Sequence, residues 1–164
     1  MYIIITPRNG GGFKMAHSFR SHYFHLIWST KDRSDSISEE MQPRLYAYMG
    51  GIAKNHQCSL LKIGGTTNHV HLLIVASSLD KFTHLIRDLK AKSSLWVHQN
   101  FPKNQQFSWQ EGYGSFSVSY SAHEKVKNYI ENQKEHHKIH SFEEEFLQLL
   151  EKNNIKYDER FALG

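Results

Sequence analysis

The sequence predicts an α+β domain of the ferredoxin-like type, in which an antiparallel sheet carries helices on one face. Segments rich in aromatic and β-branched residues alternate with longer segments whose apolar residues recur at helical spacing. Their order is β-α-β-β-α-β, followed by further helices, which is the split βαβ arrangement. The length of 164 residues suits one domain, and no internal repeat or linker indicates a second.

The first strand and the first helix are predicted within residues 21–56. Residues 21–30 (SHYFHLIWST) have the aromatic and β-branched content of a strand. A charged loop follows, and Ser38 then stands ahead of two acidic residues, as at a capped helix start. Apolar residues continue at helical spacing to about His56. Pro43 is tolerated because it lies within the first two turns.

A β-hairpin and a second helix are predicted next. Residues 60–64 form a short strand, residues 65–68 (GTTN) a turn, and residues 69–76 (HVHLLIVA) a third strand. Residues 80–98 place apolar side chains at helical spacing and leave one side basic, with Lys81 among its cations. The Phe101-Pro102 pair ends this helix.

The last part of the chain adds a fourth strand and two helices to the split βαβ unit. Residues 115–120 (SFSVSY) are predicted as the strand. Residues 123–137 are predicted as a continuous, tyrosine-bearing helix with Ser121 as its cap, and residues 142–153 as a short acidic helix. We therefore divide the chain into a flexible N-terminal extension (1–16), a main domain (17–140) and an acidic C-terminal helix and tail (141–164).

Charge is distributed unevenly along the chain. The net charge is +4 and the pI is near 9.1, but residues 140–164 hold three basic and six acidic side chains, so the first 139 residues carry +7. A basic body fits a polyanionic partner. The single Cys58 excludes an internal disulfide framework and a cysteine-rich zinc site. No apolar run approaches the ~18 residues of a membrane span, so we expect a cytoplasmic protein with no membrane partner.

The pair His69 and His71 is the first candidate for chemistry. Alternation along a strand places both on one side, with Cα atoms roughly 7 Å apart at a rise of ~3.3 Å per residue. Imidazoles at this spacing can converge on one divalent metal, although the spacing does not select which metal. Because the chain has 12 histidines, a plainer interpretation as core or surface residues also stands. The pattern alone leaves both open.

Tyr129 and Gln133 form the second candidate. They lie one turn apart on the predicted helix and so share one face. The plain interpretation is a core-facing stripe, in which Gln133 is awkward because a buried amide needs hydrogen-bonding partners. A role in metal binding supplies one. His136 and His137 are interpreted as solvated residues near the negative end of the helix dipole.

Basic residues in two regions are candidates for contacts with DNA phosphates. Charged runs are also common on surfaces with no ligand, so these positions are hypotheses. The five residues are Lys31, Arg33, Arg87, Lys90 and Lys92.

Four stretches, in order, carry a family resemblance. They are residues 23–31 (YFHLIWSTK), 68–73 (NHVHLL), 109–119 (WQEGYGSFSVS) and 126–137 (VKNYIENQKEHH). Together they resemble the small single-tyrosine transposases of the HUH nuclease superfamily, particularly the REP-associated tyrosine transposases. The HxH pair is weakly specific by itself, whereas the ordered set that ends in YxxxQ is strongly specific.

The resemblance implies a function for each matching residue. Tyr129 would attack a DNA phosphodiester and leave a 5′-phosphotyrosine and a free 3′-OH. His69, His71 and Gln133 would hold one Mg²⁺ or Mn²⁺. The implied substrate is hairpin-forming single-stranded DNA, the implied assembly is a homodimer, and no nucleotide cofactor is required. No residue of the sequence stands out as the proton acceptor for Tyr129.

Other functions were weighed against this one. A replication or conjugation relaxase of the same superfamily is usually larger. A ferredoxin-like RNA-recognition sheet would carry an aromatic motif on the third strand, where this chain has His69 and His71. A catalytically silent hairpin-binding protein is the remaining alternative. The presence of all four site residues favours the enzyme.

Overall fold

The computed structural model describes residues 20–76, 78–80, 82–137, 139–158 and 162. The N-terminal extension predicted for residues 1–16, and Lys81, lie outside them. Within the described part, the strands are β1 (His22–Ser29), β2 (Cys58–Gly65), β3 (His69–Ala76) and β4 (Gly114–Val118), and the helices are α1 (Met41–Asn55), α2 (Phe82–Asn100), α3 (His123–Glu131), α4 (Gln133–His136) and α5 (Phe142–Lys152). None of these helices combines the length and the apolar character that a membrane crossing requires.

The four strands form one antiparallel sheet in the order β2-β3-β1-β4. The prediction of a ferredoxin-like split βαβ fold is therefore confirmed. Strands β3 and β1 lie in the centre, and they pair so that His71 faces Ile27 and His69 faces Ser29 across the two strands. The central position of β3 gives its histidines a rigid support on both sides.

The first face of the sheet carries the main core beneath α1 and α2. Alternation along β1 and β3 directs one set of aliphatic and aromatic side chains to this face. They pack against the apolar sides of the two helices. The fully buried sheet members of this core are Leu26, Trp28, Val70, Leu72 and Ile74.

The second face of the sheet is covered by the C-terminal helices. Ile27 and Phe116 from the sheet pack against Phe142, Phe146 and Leu150 of α5 in a separate apolar cluster. Helix α5 begins with a capping box, in which the Ser141 hydroxyl accepts from the Glu144 backbone N–H and the Glu144 carboxylate accepts from that of Ser141. This cap and the apolar stripe together hold the acidic segment on the sheet.

The helix predicted for residues 123–137 is interrupted. Helix α3 ends at Glu131, Asn132 has φ −92° and ψ 16°, and the short α4 then begins at Gln133. The prediction of one continuous helix is wrong here, because the Asn132 side chain donates to the Asn128 carbonyl at 2.8 Å and supports an ended turn.

The two predicted capping serines have different outcomes. Ser38 accepts a hydrogen bond from the Met41 backbone N–H at 3.2 Å, so it makes the predicted capping contact, but α1 itself begins at Met41 and the residue directly before it is Glu40. Ser121 does not cap α3. The residue before α3 is Ala122, whose side chain offers no acceptor, and the Ser121 hydroxyl pairs with that of Ser119 instead.

Gly64 sets the distance between β2 and α3. An ideal Cβ at Gly64 would lie 2.3 Å from the Ile130 carbonyl oxygen. Because this oxygen belongs to the backbone, a change of side-chain rotamer cannot relieve the clash. We expect Gly64→Ala to lower the free energy of unfolding by about 1–3 kcal/mol, measured by urea denaturation. Gly51→Ala is the matched control because, apart from the adjoining backbone of α1, no atom of the described residues lies within 4 Å of its added methyl group, so it should be neutral or stabilising. Equal stability of the two variants would contradict the close approach of α3.

Candidate active site

His69 and His71 lie side by side on β3, fully buried and directed to the second face of the sheet. In each of the two rings, the Nδ1 atom lies at hydrogen-bonding distance from another side chain. That of His69 lies 2.8 Å from Asn68 Oδ1 and 2.9 Å from Thr66 Oγ1, and that of His71 lies 2.9 Å from His25 Nε2. Partners of this kind fix the orientation of a histidine ring. Both Nε2 atoms are therefore left for the cluster beneath the C-terminal helices.

The Nε2 atom of His71 is buried and has no hydrogen-bond partner among the residues that the structure describes. Buried nitrogen atoms without a hydrogen-bond partner are uncommon in proteins. An imidazole that binds a metal ion presents such a nitrogen to the ion. Burial, and then the neighbouring His71, lower the pKa of His25 to about 3. Burial likewise lowers the pKa of His69 well below its ordinary value. His69 is thus neutral at physiological pH, as a metal ligand must be.

Tyr129 and Gln133 reach the same cluster despite the break between α3 and α4. The Tyr129 ring lies edge-on to His71, with the ring centroids 5.8 Å apart. Gln133 is 1% exposed, and its Oε1 atom lies 3.5 Å from His69 Nε2. The structure therefore brings together Tyr129 and the three predicted metal ligands within one chain.

Glu145 of α5 was not predicted as part of the site. It is 2% exposed, and its Oε1 atom accepts hydrogen bonds from the Tyr129 hydroxyl and, at 3.0 Å, from Gln133 Nε2. The sequence contained a signal, since Glu145 stands three residues after Phe142 and directly before Phe146, on the apolar side of α5. A carboxylate within an apolar stripe needs a buried partner.

The interpretation of His137 as a solvated residue is wrong. Its side chain is 10% exposed, and its Nε2 atom lies 2.9 Å from Glu145 Oε2. Its ring packs on that of His69 at a centroid distance of 4.3 Å. His136 is partly exposed and packs against the Tyr129 ring at 5.4 Å. The turn after α4 bends back toward the sheet and carries His137 inward.

The site contains an ionised carboxylate and a protonated phenol. Burial acts to raise the pKa of Glu145, but the imidazoles of His137 and His71, both close to the carboxylate, outweigh it and hold the pKa well below its ordinary value. Burial, with the nearby negative charge of Glu145, raises the pKa of Tyr129. Tyr129 is therefore a hydrogen-bond donor to Glu145 at neutral pH.

Arg87 and Lys90, two of the predicted DNA-contacting residues, line one cavity of about 480 Å³ between α2 and the segment before β4. Trp109 and Tyr113 line it too. The Lys90 ammonium donates to two backbone carbonyls at 2.7 and 2.9 Å, and burial lowers its pKa to about 8. Through these two hydrogen bonds, Lys90 supports the wall of the cavity.

The other three predicted DNA-contacting residues lie apart from this cavity. Lys31 is exposed in a 3₁₀ turn after β1, and Arg33 pairs with Glu143 of α5 at 2.5 Å. Lys92 pairs with Asp88 at 2.8 Å. The structure therefore distributes the five cations over several surfaces, and their contacts with DNA stay predictions.

A ferredoxin-like sheet with paired histidines on a central strand and a tyrosine-bearing helix across it defines the class of single-tyrosine DNA transposases that the sequence resembles. The chain belongs to the family of IS200-like transposases, whose family model matches residues 18–133.

Individual relatives agree with this membership. The ISDra2 transposase TnpA of Deinococcus radiodurans is 24% identical over 115 residues, which span 67% of this chain and 82% of that protein. A solved structure of a Deinococcus radiodurans R1 protein, described as a transposase, has a TM-score of 0.57 and 26% identity over 77% of this chain and 98% of its own. The structure of a REP-associated tyrosine transposase bound to a REP hairpin has a TM-score of 0.56 and 11% identity, over 77% of this chain and 74% of that one, and shares the fold.

Proposed function

We propose that the protein cleaves and rejoins single-stranded hairpin DNA through a covalent bond to Tyr129. The observation that carries this proposal is the convergence of Tyr129 with His69, His71 and Gln133 in one buried cluster. Membership of the IS200-like family supports a transposase. A silent binding protein would have no need for four such side chains at one point.

In the proposed reaction the Tyr129 oxygen attacks the scissile phosphorus. The bond from this oxygen to phosphorus forms as the bond from phosphorus to the 3′ oxygen breaks, so the products are a 5′-phosphotyrosine and a 3′-OH. The phenol proton leaves Tyr129 as the bond forms, and the departing 3′ oxygen takes up a proton. The phosphotyrosine conserves the bond energy for rejoining a strand.

One divalent metal, Mg²⁺ or Mn²⁺, is the proposed cofactor. His69 Nε2, His71 Nε2 and Gln133 Oε1 would hold it, and the unpartnered Nε2 atom of His71 supports this assignment. When bound, such an ion polarises the phosphate and offsets the charge that develops on it. His25, Asn68 and Thr66 orient the two imidazoles.

Hairpin DNA is the proposed substrate. The excess positive charge of residues 1–139 supports a polyanionic partner. The relative bound to a REP hairpin supports the same class of nucleic acid. The test is covalent trapping with labelled single-stranded hairpin DNA from the flanks of the gene, in Mg²⁺ or Mn²⁺, on a denaturing gel. Hairpin binding without a protein-linked band across a panel of hairpins would favour the silent binding protein.

We propose that each active site is complete within one chain, whether or not the protein forms the homodimer that the resemblance implies. Tyr129 packs against His71 of its own chain. We therefore expect a mixture of Tyr129→Phe and His71→Ala proteins to form no DNA adduct above either variant alone. Light scattering gives the assembly state, and the same gel assay gives the adduct. Restored adduct in the mixture would show that dimers exchange the tyrosine helix.

A further inference from the structure

We propose that Glu145 of α5 is a ligand of the divalent metal, so that the site is a carboxylate-containing one closed by the C-terminal helix. This inference rests on the proposed function for the metal held by His69 and His71. It adds to that site a residue outside the stretch matched by the family model, which ends at residue 133.

The donor atoms around Glu145 have the separations of ligands that share one ion. Glu145 Oε2 lies 3.2 Å from His71 Nε2, 2.9 Å from His137 Nε2 and 4.0 Å from His69 Nε2. One donor atom from each of these four residues can be chosen so that all lie within 4.8 Å of one another. With metal–ligand bonds of ~2.1 Å, neighbouring donors of an octahedral ion lie ~3.0 Å apart and opposite donors ~4.2 Å apart. The three distances from Glu145 Oε2 to the imidazole nitrogens are close to these values.

The burial of Glu145 supports the same assignment. Its carboxylate is 2% exposed, and among the described residues its ion-pair partners are four histidines. A buried carboxylate needs polar or cationic partners. A divalent ion held by these imidazoles would be such a partner, and it would also bind the His71 Nε2 atom, which has no hydrogen-bond partner among the described residues.

The position of Glu145 is fixed by the packing of α5. An ideal Cβ on Gly114 of β4 would lie 2.9 Å from Phe146 Cε2, so the helix sits closely on the sheet one residue from the carboxylate. The capping box at Ser141 and the salt bridge from Arg33 to Glu143 hold the start of the helix. Preorganised supports of this kind are typical of a ligand.

A different role would be competition with DNA. Because Glu145 touches both Tyr129 and the histidines, its two oxygens could stand in for those of the scissile phosphate. The observations favour a ligand, because Oε2 lies within 4.0 Å of three imidazole nitrogens, an arrangement suited to a shared cation. The two roles predict opposite effects of removing the charge.

The experiment measures binding of Mn²⁺ alone to the full chain by isothermal titration calorimetry, with Mn²⁺ electron paramagnetic resonance as a second readout. Glu145→Gln keeps the shape of the side chain and removes its charge. Glu151→Gln is the matched control, since Glu151 is an exposed glutamate on the same helix. Circular dichroism verifies that each variant is folded, and Glu145→Asp, which retains a carboxylate, provides a second test if the glutamine variant is unstable.

We expect Glu145→Gln to weaken Mn²⁺ binding at least ~10-fold, Glu145→Asp to weaken it less, and Glu151→Gln to match the wild type. Unchanged Mn²⁺ affinity in folded Glu145→Gln overturns the inference. If that variant also binds hairpin DNA more tightly or forms adduct faster, Glu145 competes with the phosphate instead. Wild-type Mn²⁺ binding that His71→Ala abolishes would leave the proposed function intact in either case, whereas absence of binding to the wild type would count against both.

Discussion

Replacing Tyr129 with phenylalanine is expected to abolish the covalent protein–DNA adduct and to lower strand cleavage by at least ~10³-fold. The substitution removes one oxygen atom, which is the proposed nucleophile, and leaves the ring packed edge-on to His71. The Thr66 hydroxyl also lies beside the paired histidines, but it contacts His69 at Nδ1, away from the Nε2 atom that faces Gln133 and Glu145. The measurement is the trapping gel with labelled hairpin DNA.

Tyr120→Phe is a suitable control for this experiment. Tyr120 is 71% exposed in the turn that precedes α3, so the loss of its hydroxyl should leave the adduct unchanged. Tyr129→Phe also loses the hydrogen bond to Glu145, and thermal melts of both proteins separate a stability effect from a chemical one. Persistence of the adduct in a folded Tyr129→Phe protein would move the nucleophile elsewhere and refute the proposed function.

Replacing His71 with alanine is expected to lower Mn²⁺ affinity and strand cleavage by about 10²-fold or more, with hairpin binding mostly retained. His71 is fully buried and offers the Nε2 atom that lacks a hydrogen-bond partner. Calorimetry measures the Mn²⁺ affinity, the trapping gel measures strand cleavage, and gel-shift assays in EDTA measure hairpin binding. His69→Ala should behave in the same way, because its Nε2 atom lies 3.5 Å from Gln133 Oε1.

His84→Ala is the control for the histidine variants, because His84 is exposed on α2 and takes no part in the cluster. Unaltered cleavage by either His69→Ala or His71→Ala, in the presence of metal, would show that the metal assignment is wrong. Parallel loss of hairpin binding and cleavage would show instead that the buried pair supports the folded surface rather than the chemistry.

Much of the fold was predictable because the alternation of residues along a strand shows which of its two sides faces the core. Val70 and Leu72 alternate with His69 and His71, so the sequence separates the core-facing side of β3 from the side that carries the histidines. The order of elements then restricts the sheet to few topologies. The break at Asn132 was missed because it depends on one side-chain hydrogen bond rather than on a periodic pattern.

The candidate site was predictable only in part, for a similar reason. Tyr129 and Gln133 are spaced by one helical turn, which a local pattern can indicate. Glu145 and His25 reach the site through tertiary packing, of α5 onto the sheet and of β1 beside β3. Residues that come together only when distant segments pack against each other have no characteristic spacing in the sequence. A carboxylate within the apolar stripe of α5 was the one local sign.

The docking of α5 affects how the protein can be shortened or fused. A fragment cut at the limits of the family match, residues 18–133, would contain Tyr129, His69, His71 and Gln133. It would lack the helix that covers Ile27 and Phe116 and carries Glu145. Such a fragment would present a bare apolar surface and an open, solvated pocket. Expression vectors for this protein, and searches for working copies of its gene, should therefore require an intact reading frame through residue 152.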